Sequence, residues 1–164
     1  MKRFVIAVYV ENKYGVLARV SGMFMRKGFN IDALTVGTTD DPDYSRITIT
    51  LNGDEYAREQ LINQLKKLHN VHRVKLLESD SRVERELMLI KVGNEGNNRA
   101  EVMAATEIYR AKIIDYNTDT ICVEVTGEPK KIDAFIEVMK PLGIVEMCRT
   151  GVVAMERGAN IMQK

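Results

Sequence analysis

Residues 4–31, FVIAVYVENKYGVLARVSGMFMRKGFNI, contain a strand, a short polar loop and an amphipathic helix in direct succession. Apolar residues occupy both alternating faces of the run from Phe4 to Val10, which is typical of a strand covered on both sides of its sheet. We expect helices on one side and another apolar element on the other. The helix after the loop carries one apolar stripe, and Gly28 is placed to end it as a left-handed cap.

The loop between this strand and helix has the chemistry of a binding site for a small charged ligand. Asn12 can both donate and accept hydrogen bonds, and Gly15 would let a ligand approach the backbone closely. The N-terminal end of a helix also attracts a carboxylate. An aliphatic ligand would need an apolar wall, which Val16, Leu17 and Ile31 could form.

Asn30 lies at the opposite end of the same helix from Asn12. The two amides could therefore meet at one ligand only if they came from two neighbouring subunits. A purely structural interpretation is also open. Asn12 could turn the loop, Gly15 could permit a tight bend, and Asn30 could simply follow the helix cap.

The composition is that of an ordinary globular protein and carries no strong charge signal. Of 164 residues, 45% are hydrophobic and 29% charged, and 24 Lys and Arg against 23 Asp and Glu leave a net charge of +1. A nucleic-acid or membrane partner is therefore not expected. No apolar run is long enough to span a bilayer, and the N-terminal run leads into a charged loop without a cleavage site, so we expect a cytoplasmic protein.

The cysteines and histidines predict neither a disulfide nor a metal site. Cys122 and Cys148 lie in predicted apolar strands without Cys-x-x-Cys spacing, so we expect buried free thiols in a reducing compartment. His69 closes a predicted helix and His72 enters a strand, with no third ligand nearby. No catalytic residue is predicted.

The order of predicted elements occurs twice along the chain. The first half predicts strands at 3–11, 30–38, 44–52 and 71–78 and helices at 15–28 and 54–68. The second half predicts strands at 86–93, 112–117, 120–126 and 143–149 and helices at 98–110 and 129–140. Each half is a split βαββαβ pattern, so the predicted fold class is α+β with two tandem ferredoxin-like domains. We place these domains at residues 1–78 and 86–164, with the charged segment 79–85 as a linker.

Each predicted domain leaves one face of its sheet without helices. Units of about 75 residues are also marginally stable alone. Dimerisation would remedy this, either by continuing the sheet into a second copy or by stacking two bare faces. We therefore predict an obligate oligomer.

Several blocks of the sequence resemble one known family. ENKYGVLARV at residues 11–20 and RKGFNIDALTV at residues 26–36 resemble the ACT-domain signature. More narrowly, they resemble that of the small regulatory subunit of acetohydroxyacid synthase, also called acetolactate synthase. The same family is matched by TDDP at 39–42, SRI at 45–47, VERELMLIK at 83–91 and RTGVV at 149–153. The resemblance covers essentially the whole chain.

The resemblance implies a non-catalytic regulatory subunit of branched-chain amino acid biosynthesis. Such a subunit activates a separate large catalytic subunit, on which alone thiamine diphosphate, Mg and FAD are expected. It binds valine, or else leucine or isoleucine, at the interface of two ACT domains in a homodimer and confers feedback inhibition. Carried over residue by residue, the effector site comprises Asn12, Gly15, Val16 and Leu17 of one copy with Asn30 and Ile31 of the other.

Other features bear on partners and ligand preference. Tyr14 stands where small residues are common in the family. Arg26, Lys27 and Arg46 are candidates for the surface that meets the catalytic subunit, or else they are solvated charges. The resemblance implies a part in assembly or full inhibition for residues 80–164.

Two other functions are compatible with parts of the sequence. A stand-alone amino-acid-sensing ACT protein would share the effector loop and lack a large partner. An acylphosphatase-like hydrolase would share the spacing of Gly15, Val16 and Arg19. The residues ahead of the glycine, Asn12 and Lys13 among them, do not form the phosphate cradle that such a hydrolase needs.

Overall fold

The computed structural model describes residues 2–162 and divides into two compact units. Of the described residues, the first unit comprises 2–83 together with 151–162, and the second comprises Glu84–Thr150. Each unit contains a ferredoxin-like βαββαβ series, which confirms the predicted fold class.

The elements follow one another in the predicted order. The first series is β1 (Lys2–Glu11), α1 (Val16–Lys27), β2 (Ala33–Thr38), β3 (Tyr44–Gly53), α2 (Glu55–Leu65) and β4 (Val71–Leu77). The second series is β5 (Arg82–Gly93), α3 (Asn98–Ile108), β6 (Lys112–Tyr116), β7 (Thr120–Gly127), α4 (Pro129–Met139) and β8 (Ile144–Arg149), and β9 (Val153–Glu156) follows it. The strands lie in the orders β2-β3-β1-β4 and β6-β7-β5-β8, with neighbours antiparallel.

Capping residues are found at the C-terminal end of α1 and at the N-terminal end of α2. Gly28 adopts the left-handed conformation at φ 69°, and the N–H of Phe29 donates to the carbonyl of Phe24 at 3.1 Å, as predicted for this cap. The carboxylate of Asp54 accepts a hydrogen bond from the N–H of Ala57 at 2.7 Å. This bond satisfies one of the free donors at the start of α2.

The helices are short. The longest within residues 2–162, α1, has 12 residues and is therefore about 18 Å long. No helix in that range combines the length and the apolar character that a membrane crossing requires.

Both faces of β1 are covered by apolar residues, as the sequence predicts. The face toward α1 and α2 contributes Phe4, Ile6, Val8 and Val10 to the main core of the first unit. The face away from the helices contributes Val5, Ala7 and Tyr9 to a second cluster, in which they contact Val152, Ala154 and Met162. The apolar element expected on that face is therefore the C-terminal segment of the same chain.

We call residues 151–162 the C-terminal strap. The guanidinium of Arg46 donates to the carbonyl of Ala154 at 2.6 Å, and the ammonium of Lys75 pairs with the carboxylate of Glu156. The strap also begins in close contact with β2, because a β-carbon added to Gly151 would lie 2.9 Å from Oγ1 of Thr35. The helix-free face of the first sheet is thus occupied by the strap, and stacking of two bare first-unit faces is not available to this conformation.

The structure divides the chain differently from the predicted ranges 1–78, 79–85 and 86–164. The strap belongs to the first unit, because its apolar residues complete a cluster on β1. The charged segment 79–85 is not a linker throughout, since β5 begins at Arg82. The N–H of Arg157 donates to the carbonyl of Ser81 at 2.8 Å, so the strap supplies a backbone partner there.

The second unit also buries one face of its sheet under helices. Its core contains Met88 and Ile90 of β5, with residues of α3 and α4. Cys148 belongs to β8, an edge strand, and pairs with Leu89 of β5. Its side chain lies on the face of the sheet that the helices do not cover. Cys148 is therefore exposed and Cys122 half-buried, so the expected burial of both thiols is wrong, although both are free.

Candidate functional site

The predicted effector loop is a tight turn between β1 and α1. The N–H of Asn12 donates to the carbonyl of Asp43 at 2.7 Å, and its side-chain Nδ2 donates to the carbonyl of Pro42 at 2.9 Å. Asn12 therefore ties the loop to the turn between β2 and β3. Its side-chain Oδ1 accepts no hydrogen bond from the described residues and is available to a ligand donor.

Gly15 turns the chain into α1 in the left-handed conformation, at φ 80° and ψ −6°. The N–H of Val16 donates to the carbonyl of Lys13 at 3.3 Å, and the N–H of Arg19 donates to the carbonyl of Gly15 at 3.0 Å. Open space surrounds Gly15, because an added β-carbon would meet nothing within 4 Å. A ligand could therefore reach the backbone here.

The first turn of α1 presents unpaired donors. Within residues 2–162, the N–H groups of Gly15, Leu17 and Ala18 have no hydrogen-bond acceptor. No side chain caps this helix, and no acidic residue lies in its first turn. The partial positive charge at the N-terminus is thus left for an external anion such as a carboxylate.

The two apolar residues at this turn play different parts. Val16 is buried at 4% exposure and packs into the main core, so only its backbone faces the loop. Leu17 is 44% exposed and can contact a ligand from the surface. Of the predicted wall of Val16, Leu17 and Ile31, Leu17 is therefore the side chain that this turn exposes to a ligand.

Asn30 and Ile31 lie beyond the other end of α1, in the loop before β2. The predicted strand 30–38 begins only at Ala33, where pairing with β3 starts. Just before it, the N–H of Asp32 donates to the carbonyl of Thr50 at 2.9 Å. Asn30 is exposed, and Ile31 packs partly against the core. The length of α1 separates them from Asn12 by about 18 Å along the helix axis, so the two groups cannot share a small ligand within one copy.

A polar network that the sequence did not predict anchors the loop. Arg19 donates to Oδ1 of Asn70, and Nδ2 of Asn70 donates to Glu11, each at 2.6 Å. Hydrogen bonds to Glu11 from Asn70 and then Lys13 lower the pKa of that carboxyl, with a smaller contribution from His72. Arg19 and Asn70 are 51 positions apart, so no local pattern could have linked them.

The other residues singled out by the sequence have structural surroundings. His72 lies 3.6 Å from Glu11, and no group of three or more metal-ligating side chains is present in the described part of the chain. Arg26 and Lys27 are exposed at the end of α1. Arg46 is half-buried under the strap and is not a freely exposed docking residue.

Comparison with known proteins covers almost the whole chain. Residues 6–73 match the family described as an AHAS small subunit-like ACT domain, and residues 85–158 match the family described as the small subunit of acetolactate synthase. The chain is 52% identical over 154 residues to the probable acetolactate synthase small subunit of Archaeoglobus fulgidus, covering 93% of this chain and 96% of the relative. It is 44% identical over 153 residues to the acetolactate synthase small subunit of Mycolicibacterium smegmatis, covering 93% and 90%.

A solved structure agrees with these sequence matches. The crystal structure of the acetolactate synthase small subunit from Thermotoga maritima superimposes with a TM-score of 0.89 at 37% identity. The alignment covers 98% of this chain and 100% of that one.

Proposed function

The chain belongs to the acetolactate synthase small subunit family, and from this premise we propose that it is the non-catalytic, feedback-regulated subunit of an acetolactate synthase. It would activate a thiamine-diphosphate-dependent large subunit and inhibit it when valine, leucine or isoleucine binds. This chain would need no cofactor of its own, with thiamine diphosphate, Mg and FAD on the large subunit. These roles go beyond family membership and rest on the loop chemistry described above.

The observation that carries the proposal is the set of unpaired N–H groups at Gly15, Leu17 and Ala18. They suit the carboxylate of an amino acid, and Oδ1 of Asn12 suits its ammonium group. Leu17 offers an apolar surface to an aliphatic side chain. One methylene is worth only about 1 to 3 kcal/mol, so this surface does not choose among the three amino acids.

A homodimer formed through β2 would complete this site. Strand β2 is an edge strand of its sheet, with Val36 42% exposed, whereas the strap occupies the helix-free face. Antiparallel pairing of β2 with β2 of a second copy would place the start of one strand beside the end of the other. Asn30 and Ile31 precede the start of β2, and the turn bonded to Asn12 follows its end. Residues from two copies would then converge on one ligand.

Binding at such an interface can regulate a partner by favouring one of two dimer arrangements. The ligand shifts the equilibrium only by the difference between its affinities for the two arrangements, typically about 1 to 3 kcal/mol. This is sufficient for a clear change in activity.

The test is to purify the chain with and without its large subunit and to measure acetolactate formation against valine concentration. We expect faster turnover in the complex, inhibition by valine, and saturable valine binding to the isolated chain by calorimetry. A stand-alone amino-acid sensor would bind valine but neither co-purify with nor activate a thiamine-dependent partner. Hydrolysis of acyl phosphates by the isolated chain would instead support the hydrolase alternative.

A further inference from the structure

The strap and the helix-free face of the first sheet enclose a cavity of about 330 Å³. Residues of β2, β3, β4 and the strap line it, and none of the effector-loop residues Asn12, Gly15, Val16 and Leu17 is part of that lining. Polar groups on its walls include those of Thr38, Arg46 and Lys75, and apolar side chains include Leu77, Met155 and Ile161. The volume lies within the range of about 300 to 1,000 Å³ that is usual for small-molecule sites.

Arg46 is the least satisfied charged group in this cavity. It is half-buried, its one hydrogen bond in the described chain runs to the carbonyl of Ala154, and no carboxylate there lies within ion-pairing distance. Burial lowers the pKa of its guanidinium, and the more distant charge of Glu156 opposes this only in part. A guanidinium has five N–H donors, so most of them remain open to an acceptor.

The balance of charge in the cavity is positive. Glu156, the acidic residue of the lining, already pairs with Lys75. Among the residues that the structure describes, Arg46 is therefore left without a counter-ion. A partly buried cation of this kind is stabilised by an anion with paired acceptor oxygens, such as a carboxylate.

We propose that this cavity is a second ligand site that binds short aliphatic monocarboxylates. Arg46 holds the carboxylate, and Leu77, Met155 and Ile161 contact the aliphatic body. A free amino acid fits less well, because its ammonium group would face two cations and an acidic side chain that is already paired. The site thus selects against the zwitterions that the effector loop is proposed to bind.

The experiment is a titration of the full chain with isovalerate, followed by calorimetry and by NMR shifts of methyl groups in the cavity. Saturable binding with shifts at Leu77 and Ile161 is expected. Arg46→Gln should weaken binding by about tenfold or more, the effect of losing a charge-assisted hydrogen bond. No saturable binding of isovalerate to the unaltered chain would overturn the proposal.

Arg46→Gln also removes the hydrogen bond to Ala154, so it could weaken packing of the strap as well as ligand binding. A second variant separates these two effects. Met155→Glu places a carboxylate at the cavity wall without touching that bond, and it should also abolish isovalerate binding. Val153→Glu is the matched control on the same strand, since Val153 is similarly exposed and is not part of the lining. Unchanged affinity in Met155→Glu, or equal loss in Val153→Glu, would count against the site.

A third variant distinguishes the cavity from the effector loop. Gly15→Asp should leave isovalerate binding intact, whether or not valine binding to the loop exists. If Gly15→Asp abolished isovalerate binding, the probe would be at the loop and the cavity proposal would fail.

Discussion

Arg149 binds both carboxylate oxygens of Glu86, with Nε 2.7 Å from Oε1 and Nη2 2.8 Å from Oε2. Glu86 is buried at 5% exposure, and a further nitrogen of Arg149 donates to Asp133 at 2.9 Å. The hydrogen bonds that Arg149 donates to Glu86 raise the pKa of its guanidinium. The pair joins the first half of β5 to the end of β8 in the second unit.

Replacing Arg149 should destabilise the second unit strongly. Arg149→Met leaves a buried carboxylate without its partner, which should lower the free energy of unfolding by roughly 3 kcal/mol. Chemical denaturation with hydrogen exchange resolved by unit would measure the loss. The control is Lys91→Met, because the Lys91–Glu146 pair is exposed and 3.7 Å apart and should contribute under about 1 kcal/mol.

Gly151 should tolerate substitution poorly because of both its conformation and its neighbours. Gly151→Ala would place a β-carbon 2.9 Å from Oγ1 of Thr35 and 3.1 Å from Cβ of Ala33 at φ 77°. We expect a loss of about 2 to 3 kcal/mol in the stability of the first unit. Gly158→Ala has a similar φ of 74° and open space, so it should cost only about 1 kcal/mol. Thermal unfolding would measure both losses. If the two variants lost equal stability, the close contact between the strap and β2 would not contribute to the cost of Gly151→Ala.

Glu11 should make the first unit sensitive to acid. Its pKa is lowered in the folded chain from an ordinary value of 4.5, first by the hydrogen bond from Asn70. The associated stability is present above the unfolded pKa and is lost as pH falls through the folded one. NMR titration of the Glu11 carboxyl should give a midpoint below 4.5, and Asn70→Ala should raise it. A midpoint unmoved by Asn70→Ala would contradict this cause.

The proposed effector site should be separable from activation. Gly15→Asp would place a carboxylate beside the free N–H groups of α1, at a backbone conformation that Asp tolerates better than most residues. It should abolish inhibition by valine in the assembled enzyme, as should Asn30→His, while activation of the large subunit persists. Gly96→Asp is the control, since it has φ 57° and open space in the second unit. Unchanged valine sensitivity in both effector-loop variants would remove this site.

The proposed dimer should weaken when charge is added to β2. Val36→Asp would bring two like charges together if β2 pairs with its copy across a two-fold axis, so sedimentation equilibrium should show at least about a tenfold weaker association. Val145→Asp tests an exposed apolar residue on β8, an edge strand of the second unit, and should leave the association unchanged. Dissociation by Val145→Asp alone would place the dimer contact elsewhere.

The order of helices and strands could be predicted because local periodicity determines it. The run from Phe4 to Val10 and the cap at Gly28 both carry their structure in neighbouring residues. The tight loop at Asn12 and Gly15 could be predicted for the same reason, because these residue types favour turns. The start of β2 is harder to predict, because Phe29 and Ile31 alternate with polar residues as in a strand, yet the strand begins only at Ala33.

Long-range placement could not be predicted from the same signals. Val152 and Ala154 contact β1 across nearly the whole length of the chain, and no periodicity reports such a contact. Strand β9 has only four residues, and the charged start of β5 at Arg82 resembles a linker in composition. Arg46 is half-buried because the strap covers it. Its prediction as an exposed docking residue is therefore wrong, since it also depended on a long-range contact.

The path of the chain through the two units makes the second one an insertion within the first. The chain enters it at Glu84 and leaves it at Thr150, and the N–H of Thr150 donates to the carbonyl of Leu87 at 3.0 Å. Entry and exit therefore lie on neighbouring strands, a geometry that tolerates excision or exchange of what lies between. A fragment cut after Leu77 would lose Val152, Ala154 and Met162 from its sheet, whereas one that splices Val83 to Gly151 would keep them. Gene fusions and domain swaps within this family are best designed at that splice.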